Sequence, residues 1–306
     1  MQKSRRRPDF FLLITGVASV ATVVILLWIL ESIIVPALPA IQKTGFSFFT
    51  SAIWDVNRNR YGALPFLVGT TMSSLIALLI ALPLGVFIAL FLSENFLPVV
   101  VRQVIRFVVE LLAAIPSVVY GLWGIAVVIP IVQQFGGGLS DSLGFIPLFK
   151  GPAYGESTLT ASLVLAIMVL PTITAISRTT LVTLPNTLRE GSYAIGATRW
   201  ETIFRVLLPS AAPGIVAATI LAFGRAMGET MAVAMLIGNS PRLSWSLLSP
   251  GGTLAGLLAN QFGEASGLQI SALMYAALSL VLLTLLVNMI GEVVLRRVQK
   301  LTAGLR

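Results

Sequence analysis

Apolar residues run along the chain in six long stretches separated by shorter polar connections. Each stretch has about 20 residues or more, the length that an α-helix needs to cross roughly 30 Å of hydrocarbon. Strands of membrane barrels alternate apolar and polar positions over about 10 residues, and this sequence nowhere alternates for long. The pattern therefore predicts an all-α, polytopic transmembrane bundle, with six spans at about 10–35, 65–92, 105–132, 158–177, 211–238 and 269–294.

The composition supports a membrane protein and excludes several chemistries. Of the 306 residues, 57% are hydrophobic and 10% are charged, whereas a soluble domain has about 25% charged residues. The chain has no Cys and no His, so we expect no disulfide, no thiol nucleophile and no metal site. None of its lysines follows a glycine, and a Gly-Lys-Ser/Thr phosphate loop is therefore absent. We predict no catalytic residue and no cofactor, and we expect a partner subunit to bind any ATP that drives the protein.

The basic residues predict how the chain is oriented. With the N-terminus assigned to the cytoplasm, 14 Lys and Arg residues fall on the cytoplasmic side and 5 on the outer side, while Arg225 lies within a span. This asymmetry follows the positive-inside rule and places both termini in the cytoplasm. The net charge of +8 then indicates the membrane surface rather than nucleic acid. A cleaved signal peptide is the alternative for the first stretch, but an apolar run of about 25 residues is longer than a signal sequence has.

The connection between the fourth and fifth stretches, residues 178–209, carries helix signals. Two capping boxes lie in it, each with a Thr three residues before a Glu: Thr187 with Glu190, and Thr198 with Glu201. Gly196 suits the left-handed end of a first helix, and Pro209 suits the end of a second. We therefore predict two short helices with a turn between them.

Both predicted helices are short and partly apolar. Each has about 8 residues, fewer than the 12–15 that an isolated helix needs for marginal stability. Their large apolar side chains are Tyr193, Ile195, Trp200, Ile203 and Phe204. These side chains either pack on the chain's own spans or dock into a groove of a partner protein, and the pattern alone leaves both interpretations open.

The same connection resembles the signature loop of ABC importer permeases, which reads Glu-Ala-Ala, then Gly, then Ile-x-Leu-Pro. This chain has Glu190, then Gly196 six residues later, then Val-Leu-Leu-Pro at 206–209. The departures from the family pattern are small: Gly191 and Ser192 for the two alanines, and Val206 for the isoleucine.

Two further motifs narrow the resemblance. Residues 110–121 read Glu-Leu-Leu-Ala-Ala-Ile-Pro-Ser-Val-Val-Tyr-Gly, and residues 223–230 read Phe-Gly-Arg-Ala-Met-Gly-Glu-Thr. Both are similar to the phosphate-importer permeases of the PstC type. The six-span plan and the long outer loop at 36–64 agree with that family, so the resemblance covers nearly the whole chain.

The resemblance implies a type I ABC importer permease (MetI-like) fold and the role of a permease subunit in an ATP-driven phosphate importer. Loop 187–205 would then be the coupling-helix loop that seats in an ATPase, through Glu190, Gly196, Trp200, Glu201 and Pro209. The implied partners are a second, similar permease in a heterodimer, two cytoplasmic ATPase subunits, an exterior phosphate-binding protein and the lipid of a bacterial plasma (inner) membrane. The alternatives are a permease for another oxyanion, such as sulfate or molybdate, and a gradient-driven secondary transporter.

Among the ionisable residues within the predicted spans, we single out Glu110, Arg225 and Glu229. A charge at the bilayer centre costs at least about 2.5–3.5 kcal/mol, so each should face protein or water. We expect Arg225 near mid-membrane, Glu229 one turn further along the same helix face, and Arg106 as the partner of Glu110. Because a guanidinium binds an oxyanion bidentately, Arg225 is the candidate phosphate contact. Glu229 would hold it when no substrate is present, and Glu110 would gate or pack. A static Arg225–Glu229 pair is the alternative.

Overall fold

The computed structural model describes residues 10–94 and 96–303 of the chain. Helices dominate, and a short antiparallel hairpin pairs Trp54 with Tyr61 and Asp55 with Arg60. The strands are β1 (Trp54–Asp55) and β2 (Arg60–Tyr61). The α-helices are α1 (Phe10–Thr44), α2 (Ser47–Thr50), α3 (Leu64–Ser93), α4 (Val99–Ala114), α5 (Ser117–Trp123), α6 (Ile129–Leu143), α7 (Thr158–Val182), α8 (Asn186–Ala194), α9 (Arg199–Thr202), α10 (Leu208–Met227), α11 (Met231–Leu236), α12 (Leu254–Gln261) and α13 (Leu268–Ala303).

Six continuous helical segments within the described residues are long and apolar enough to cross a membrane. They are Phe11–Thr44, Leu64–Ser93, Ser117–Leu143, Thr158–Val182, Arg199–Gly228 and Leu268–Leu301. The predicted all-α bundle with six spans is therefore confirmed. The first, fourth and sixth segments extend further than the hydropathy pattern indicated. In the third and fifth spans the changed bounds also move a candidate site residue.

The third span begins later than predicted. Helix α4 ends at Ala114, the chain is extended at Ile115, and α5 starts after Pro116. Proline disfavours helical geometry in the residue before it, which explains the break. The hydroxyl of Tyr120 donates to the carbonyl oxygen of Leu112 at 2.8 Å, so a free carbonyl at the end of α4 finds a partner. Glu110 thus lies on a separate amphipathic helix, and its assignment to the third span is wrong.

The fifth span begins earlier and ends earlier than predicted. Helix α9, a π-helical turn and α10 form one helix from Arg199 to Gly228, and residues 228–230 separate it from α11. Pro209 is the second residue of α10 and does not end a helix, so that prediction is wrong. Glu229 lies in the break beyond α10 and is not on the helix of Arg225.

Two π-helical turns precede prolines inside the spans. Residues 124–128 lie just before Pro130, and residues 203–207 lie just before Pro209. In each turn a backbone N–H donates to the carbonyl five residues earlier, from Ile129 to Gly124 and from Leu208 to Ile203. Because a proline ring clashes with the carbonyl four residues before it, the wider turn allows the helix to continue through the proline.

Helix α7 lies at the centre of the bundle and is the most deeply buried span. It packs against α3 and α10, and α1 packs against α13 at the periphery. Small residues permit the close contact: a Cβ on Gly85 of α3 would lie 2.8 Å from Cγ2 of the buried Ile173. We call the end of the bundle with connection 183–198 the loop end, and the opposite end the far end.

The connections at the far end pack on the helices. Phe48 stacks on Tyr275 of α13 with ring centroids 4.2 Å apart. The backbone N–H of Leu254 donates to Oγ1 of Thr70 at 3.0 Å, which fastens the end of connection 237–253 to α3. Next to this bond, the carbonyl oxygen of Gly252 lies 2.1 Å from where a Cβ on Gly69 would be. Only glycine fits at that position of α3.

We predict that Gly69→Ala destabilises the protein, because the added methyl group must displace the backbone at Gly252. Overpacking of this kind costs about 1–3 kcal/mol. The measurement is the thermal unfolding midpoint of the purified protein in detergent. Gly16→Ala is the matched control, since it also adds a methyl group to a helical glycine and a Cβ there has nothing within 4 Å. Equal midpoints for both variants would contradict the close approach.

Candidate functional site

Arg225 lies in the last turn of α10, where the helix dipole favours a positive charge. Its Nη1 donates to Oγ1 of Thr172 on the central helix α7 at 3.3 Å. Among residues 10–94 and 96–303, no carboxylate lies within ion-pair distance of this guanidinium. Arg225 is therefore an exposed cation with one hydroxyl partner, and its charge is free for another ligand.

Glu229 is close to Arg225 in sequence but does not pair with it. The carboxylate lies in the break at 228–230, where the Glu229 backbone N–H bonds to the Ala226 carbonyl at 3.3 Å. The expected placement one turn further along the same helix face is wrong, because Gly228 ends the helix first. A static Arg225–Glu229 ion pair is also not found within the described part of the chain.

Glu110 pairs with Arg106, as predicted. Nε of Arg106 lies 2.7 Å from Oε1 of Glu110, and the two side chains are 58% and 61% exposed. An ion pair this open to solvent contributes about 0–1 kcal/mol. Both residues line a cavity between α4 and α7, which is separate from the contact of Arg225 with Thr172.

The first helix of the connection at the loop end is α8. It begins at Asn186 without a side-chain cap, so Thr187 lies inside the first turn and the predicted capping box with Glu190 is wrong. Gly196 ends the helix in the left-handed conformation, with φ +85°. Its N–H donates to the Tyr193 carbonyl at 2.9 Å, which confirms the predicted stop.

The second capping box is present and starts the helix that becomes the fifth span. The Thr198 N–H donates to Oε2 of Glu201 at 2.9 Å, and the Glu201 N–H donates to Oγ1 of Thr198 at 3.3 Å. These two bonds fix the first turn of α9. Because α9 continues into α10, the turn at Gly196 lies directly against the start of a membrane span.

An aromatic cluster holds this turn against the end of α3. Phe96 stacks on Trp200 at 5.2 Å, and Trp200 stacks on Phe204 at 5.9 Å. The Arg199 guanidinium lies 3.8 Å above the Phe96 ring in a cation–π contact. Trp200 and Phe204 stay about half exposed, and Ile195 is 86% exposed. Part of the apolar surface therefore packs on the chain itself, and the rest is free to contact another molecule.

A buried ion pair between Arg189 of α8 and Glu94 also fastens the connection. Nη2 of Arg189 lies 2.7 Å from Oε1 of Glu94, and the side chains are only 17% and 9% exposed. The same guanidinium donates to the backbone carbonyls of Leu181 and Leu184 at 3.1 and 3.3 Å. Arg189 thus joins α8 to the ends of α3 and α7.

The sequence analysis missed this pair. Glu94 and Arg189 are 95 residues apart, and no local spacing connects them. The one available signal is that Glu94 follows directly on an apolar stretch, at the edge of the membrane. As for metals, the structure shows no group of three or more acidic side chains that could hold an ion anywhere in 10–94 or 96–303.

We predict that Glu94→Gln loosens α8, because it leaves the Arg189 guanidinium buried without its carboxylate. Breaking a buried ion pair costs about 3–5 kcal/mol. Hydrogen exchange of the amides of 186–194 measures the effect, and a double-mutant cycle with Arg189→Met should show a coupling well above zero. Glu292→Gln is the control, because its pair with Arg296 is largely exposed and contributes at most about 1 kcal/mol. If the effects of Glu94→Gln and Arg189→Met were simply additive, the ion pair would not stabilise the position of α8.

Comparison with known proteins agrees with the fold. Residues 81–302 match the model of the family described as binding-protein-dependent transport system inner membrane component. The phosphate transport system permease protein PstC of Xylella fastidiosa (strain Temecula1 / ATCC 700964) is 43% identical over 300 residues, which is 96% of this chain and 92% of that protein.

Two solved transporters share the fold. A chain of a bacterial alginate ABC transporter superposes with a TM-score of 0.65 at 15% identity, over 94% of this chain and 96% of that one. A chain of the MetNI methionine ABC transporter superposes with a TM-score of 0.53 at 24% identity, over 78% of this chain and 94% of that one. This chain belongs to the family of binding-protein-dependent transport system inner membrane components and, within it, to the PstC-type permeases.

Proposed function

We propose that this protein is a permease subunit of an ATP-driven phosphate importer and forms half of the translocation pathway. The observation that carries the proposal is Arg225, a cation on a membrane span with no carboxylate partner among the described residues. Phosphate is an anion that accepts strong, paired hydrogen bonds from a guanidinium. A relative with 43% identity is named a phosphate transport permease, which supports phosphate as the substrate.

Arg225 and Thr172 together suit a tetrahedral oxyanion. The guanidinium offers up to five N–H donors, and the threonine hydroxyl adds another donor or acceptor. The two side chains come from different spans, α10 and α7, so a relative movement of these helices changes the site. Glu229 in the neighbouring break keeps the local charge modest, and the anion is then released rather than retained. Glu110 and its pair with Arg106 serve as a gate or as packing on α4.

The loop end is the docking surface for the ATPases in this proposal and faces the cytoplasm, as do both termini. An ATPase subunit contacts α8 and the turn around Gly196, with Glu190, Trp200 and Glu201 at the contact and Pro209 deeper in the span. The long helix from Arg199 to Gly228 then connects the docking surface to Arg225. ATP is bound and hydrolysed by the partner, and this chain contributes no cofactor site.

The complex we propose has a second, similar permease in a heterodimer, two ATPase subunits and an exterior phosphate-binding protein. The far end carries connections long enough to receive that binding protein, at 45–63 and 237–253. The family description names a dependence on a binding protein and an inner-membrane location. The apolar side chains of α1 are exposed along most of the helix, so α1 would contact the lipid of the bilayer.

ATP-dependent phosphate uptake into proteoliposomes tests the proposal. We expect the reconstituted complex to accumulate phosphate only when ATP and the ATPase subunits are both present, with no inhibition by excess sulfate. Transport of sulfate instead of phosphate would assign another oxyanion to the same site. Accumulation of phosphate by the permeases alone, under an ion gradient, would make the protein a secondary transporter and overturn the proposal.

We predict that Arg225→Gln abolishes this uptake while the complex still assembles, because the pathway loses its cation. Arg225→Lys keeps the charge but loses the bidentate geometry, so we expect partial loss. Arg296→Gln is a matched control, since Arg296 is paired with Glu292 on the surface of α13. Wild-type uptake by the Gln variant would show that Arg225 has no role in the pathway.

We predict that Ile195→Asp weakens binding of the ATPase to the permease, because it introduces a charge into the exposed apolar tip of the connection. A central apolar contact contributes about 2 kcal/mol, equivalent to roughly a 30-fold change in affinity. Co-purification of the ATPase with the solubilised permease measures the effect. Phe145→Asp is the control, since Phe145 is similarly exposed but lies at the far end. An unchanged ATPase yield for Ile195→Asp would place the docking surface elsewhere.

A further inference from the structure

Arg178 is a second arginine without a charge partner. It lies on α7 near the loop end and is half-buried. Its Nε atom is buried and makes no hydrogen bond, and among residues 10–94 and 96–303 it has no ion pair. A buried cationic donor needs compensation, and the described residues do not supply it.

Arg178 lines a cavity of about 210 Å³ between α4 and α7. The polar residues around it are Arg106, Glu110, Thr174, Arg178 and Thr179. A water molecule occupies roughly 30 Å³, so a tetrahedral oxyanion with five heavy atoms fits. Thr174 adds a second unpartnered group, because its hydroxyl is buried without a hydrogen bond and the residue is 1% exposed.

The charges around this cavity favour an anion. Arg106 and Arg178 contribute two positive charges, and Glu110, which is held by Arg106 at 2.7 Å, contributes one negative charge. The net charge of the lining is therefore +1. Guanidinium groups and threonine hydroxyls are donors that bind phosphate groups in proteins. A cationic ligand would be repelled by this positively charged lining.

The position of the cavity connects it to Arg225. Thr172, which accepts the hydrogen bond of Arg225, and Arg178 lie on the same helix, six residues apart. This separation corresponds to about 9 Å along the axis of α7. The cavity thus lies between the level of Arg225 and the loop end.

We propose that the cavity around Arg178 is a second oxyanion subsite, which receives the anion after Arg225 and releases it at the loop end. The identity of the anion as phosphate rests on the proposed function. A lipid phosphate group has the same chemistry as free phosphate, and the experiment separates the two sources.

The test is equilibrium binding of [³²P]phosphate to the nucleotide-free complex that carries Arg225→Gln, which isolates the second subsite. We expect this complex to bind phosphate. Adding Arg178→Gln to it should weaken phosphate binding at least about tenfold, as the loss of a charged hydrogen bond does. Arg178→Lys should weaken it less. Glu110→Gln raises the net charge of the cavity and should tighten binding, a gain that a purely structural role does not produce. Arg296→Gln is the control.

A second arm uses vesicles of phosphatidylcholine alone or with phosphatidylglycerol. Competition by phosphatidylglycerol that disappears in Arg178→Gln would identify the lipid phosphate as the occupant of the subsite. Equal phosphate and lipid binding by the Arg225→Gln complex with and without Arg178→Gln would overturn the inference. Loss of the second permease from the Arg178→Gln complex would also overturn it, because Arg178 would then pair with the partner. Phosphate uptake by the wild-type complex separates these outcomes from a failure of the proposed function. If the wild-type complex takes up phosphate, the proposed function stands and only the second subsite is overturned.

Discussion

Lipid offers no hydrogen bonds, so each break in a membrane-spanning helix must satisfy its backbone groups within the protein. The break after α4 does so with the hydroxyl of Tyr120, and the break after α10 does so with backbone bonds to Gly224 and Ala226. Both breaks lie close to the charged residues of the candidate pathway, Glu110 and Arg225. Satisfied backbone breaks and ionised side chains thus occur close together at these two places in the bundle.

The helix from Arg199 to Gly228 gives the proposed coupling a physical path. Its first residue, Arg199, lies at the loop end, and Arg225 lies 26 residues later, about 39 Å along the axis. A helix of this length moves largely as one body, and the π-turn before Pro209 is its point of weakness. The buried Arg189–Glu94 pair joins α8 to the end of α3, so displacement of the connection also pulls on a second span.

Hydropathy and local spacing were sufficient for the number of spans, for the stop at Gly196 and for the cap at Thr198, because each depends on neighbours in sequence. The bounds of the third and fifth spans were wrong because hydropathy averages over a break such as Ile115–Pro116. Glu229 was misplaced for the same reason. The Arg189–Glu94 pair and the cavity at Arg178 depend on contacts between distant elements, and a single sequence carries no period or motif that records them.

In the proposed pathway, charge balance would keep the two arginines from holding the anion too tightly. Arg225 has Glu229 in the adjacent break, and Arg178 shares its cavity with Glu110, yet neither arginine forms an ion pair with that carboxylate. Each guanidinium therefore remains available to an anion, while the nearby negative charge limits how tightly the anion is held. The two proposed sites, at levels about 9 Å apart along the axis of α7, would let the anion pass in two smaller steps instead of one large one.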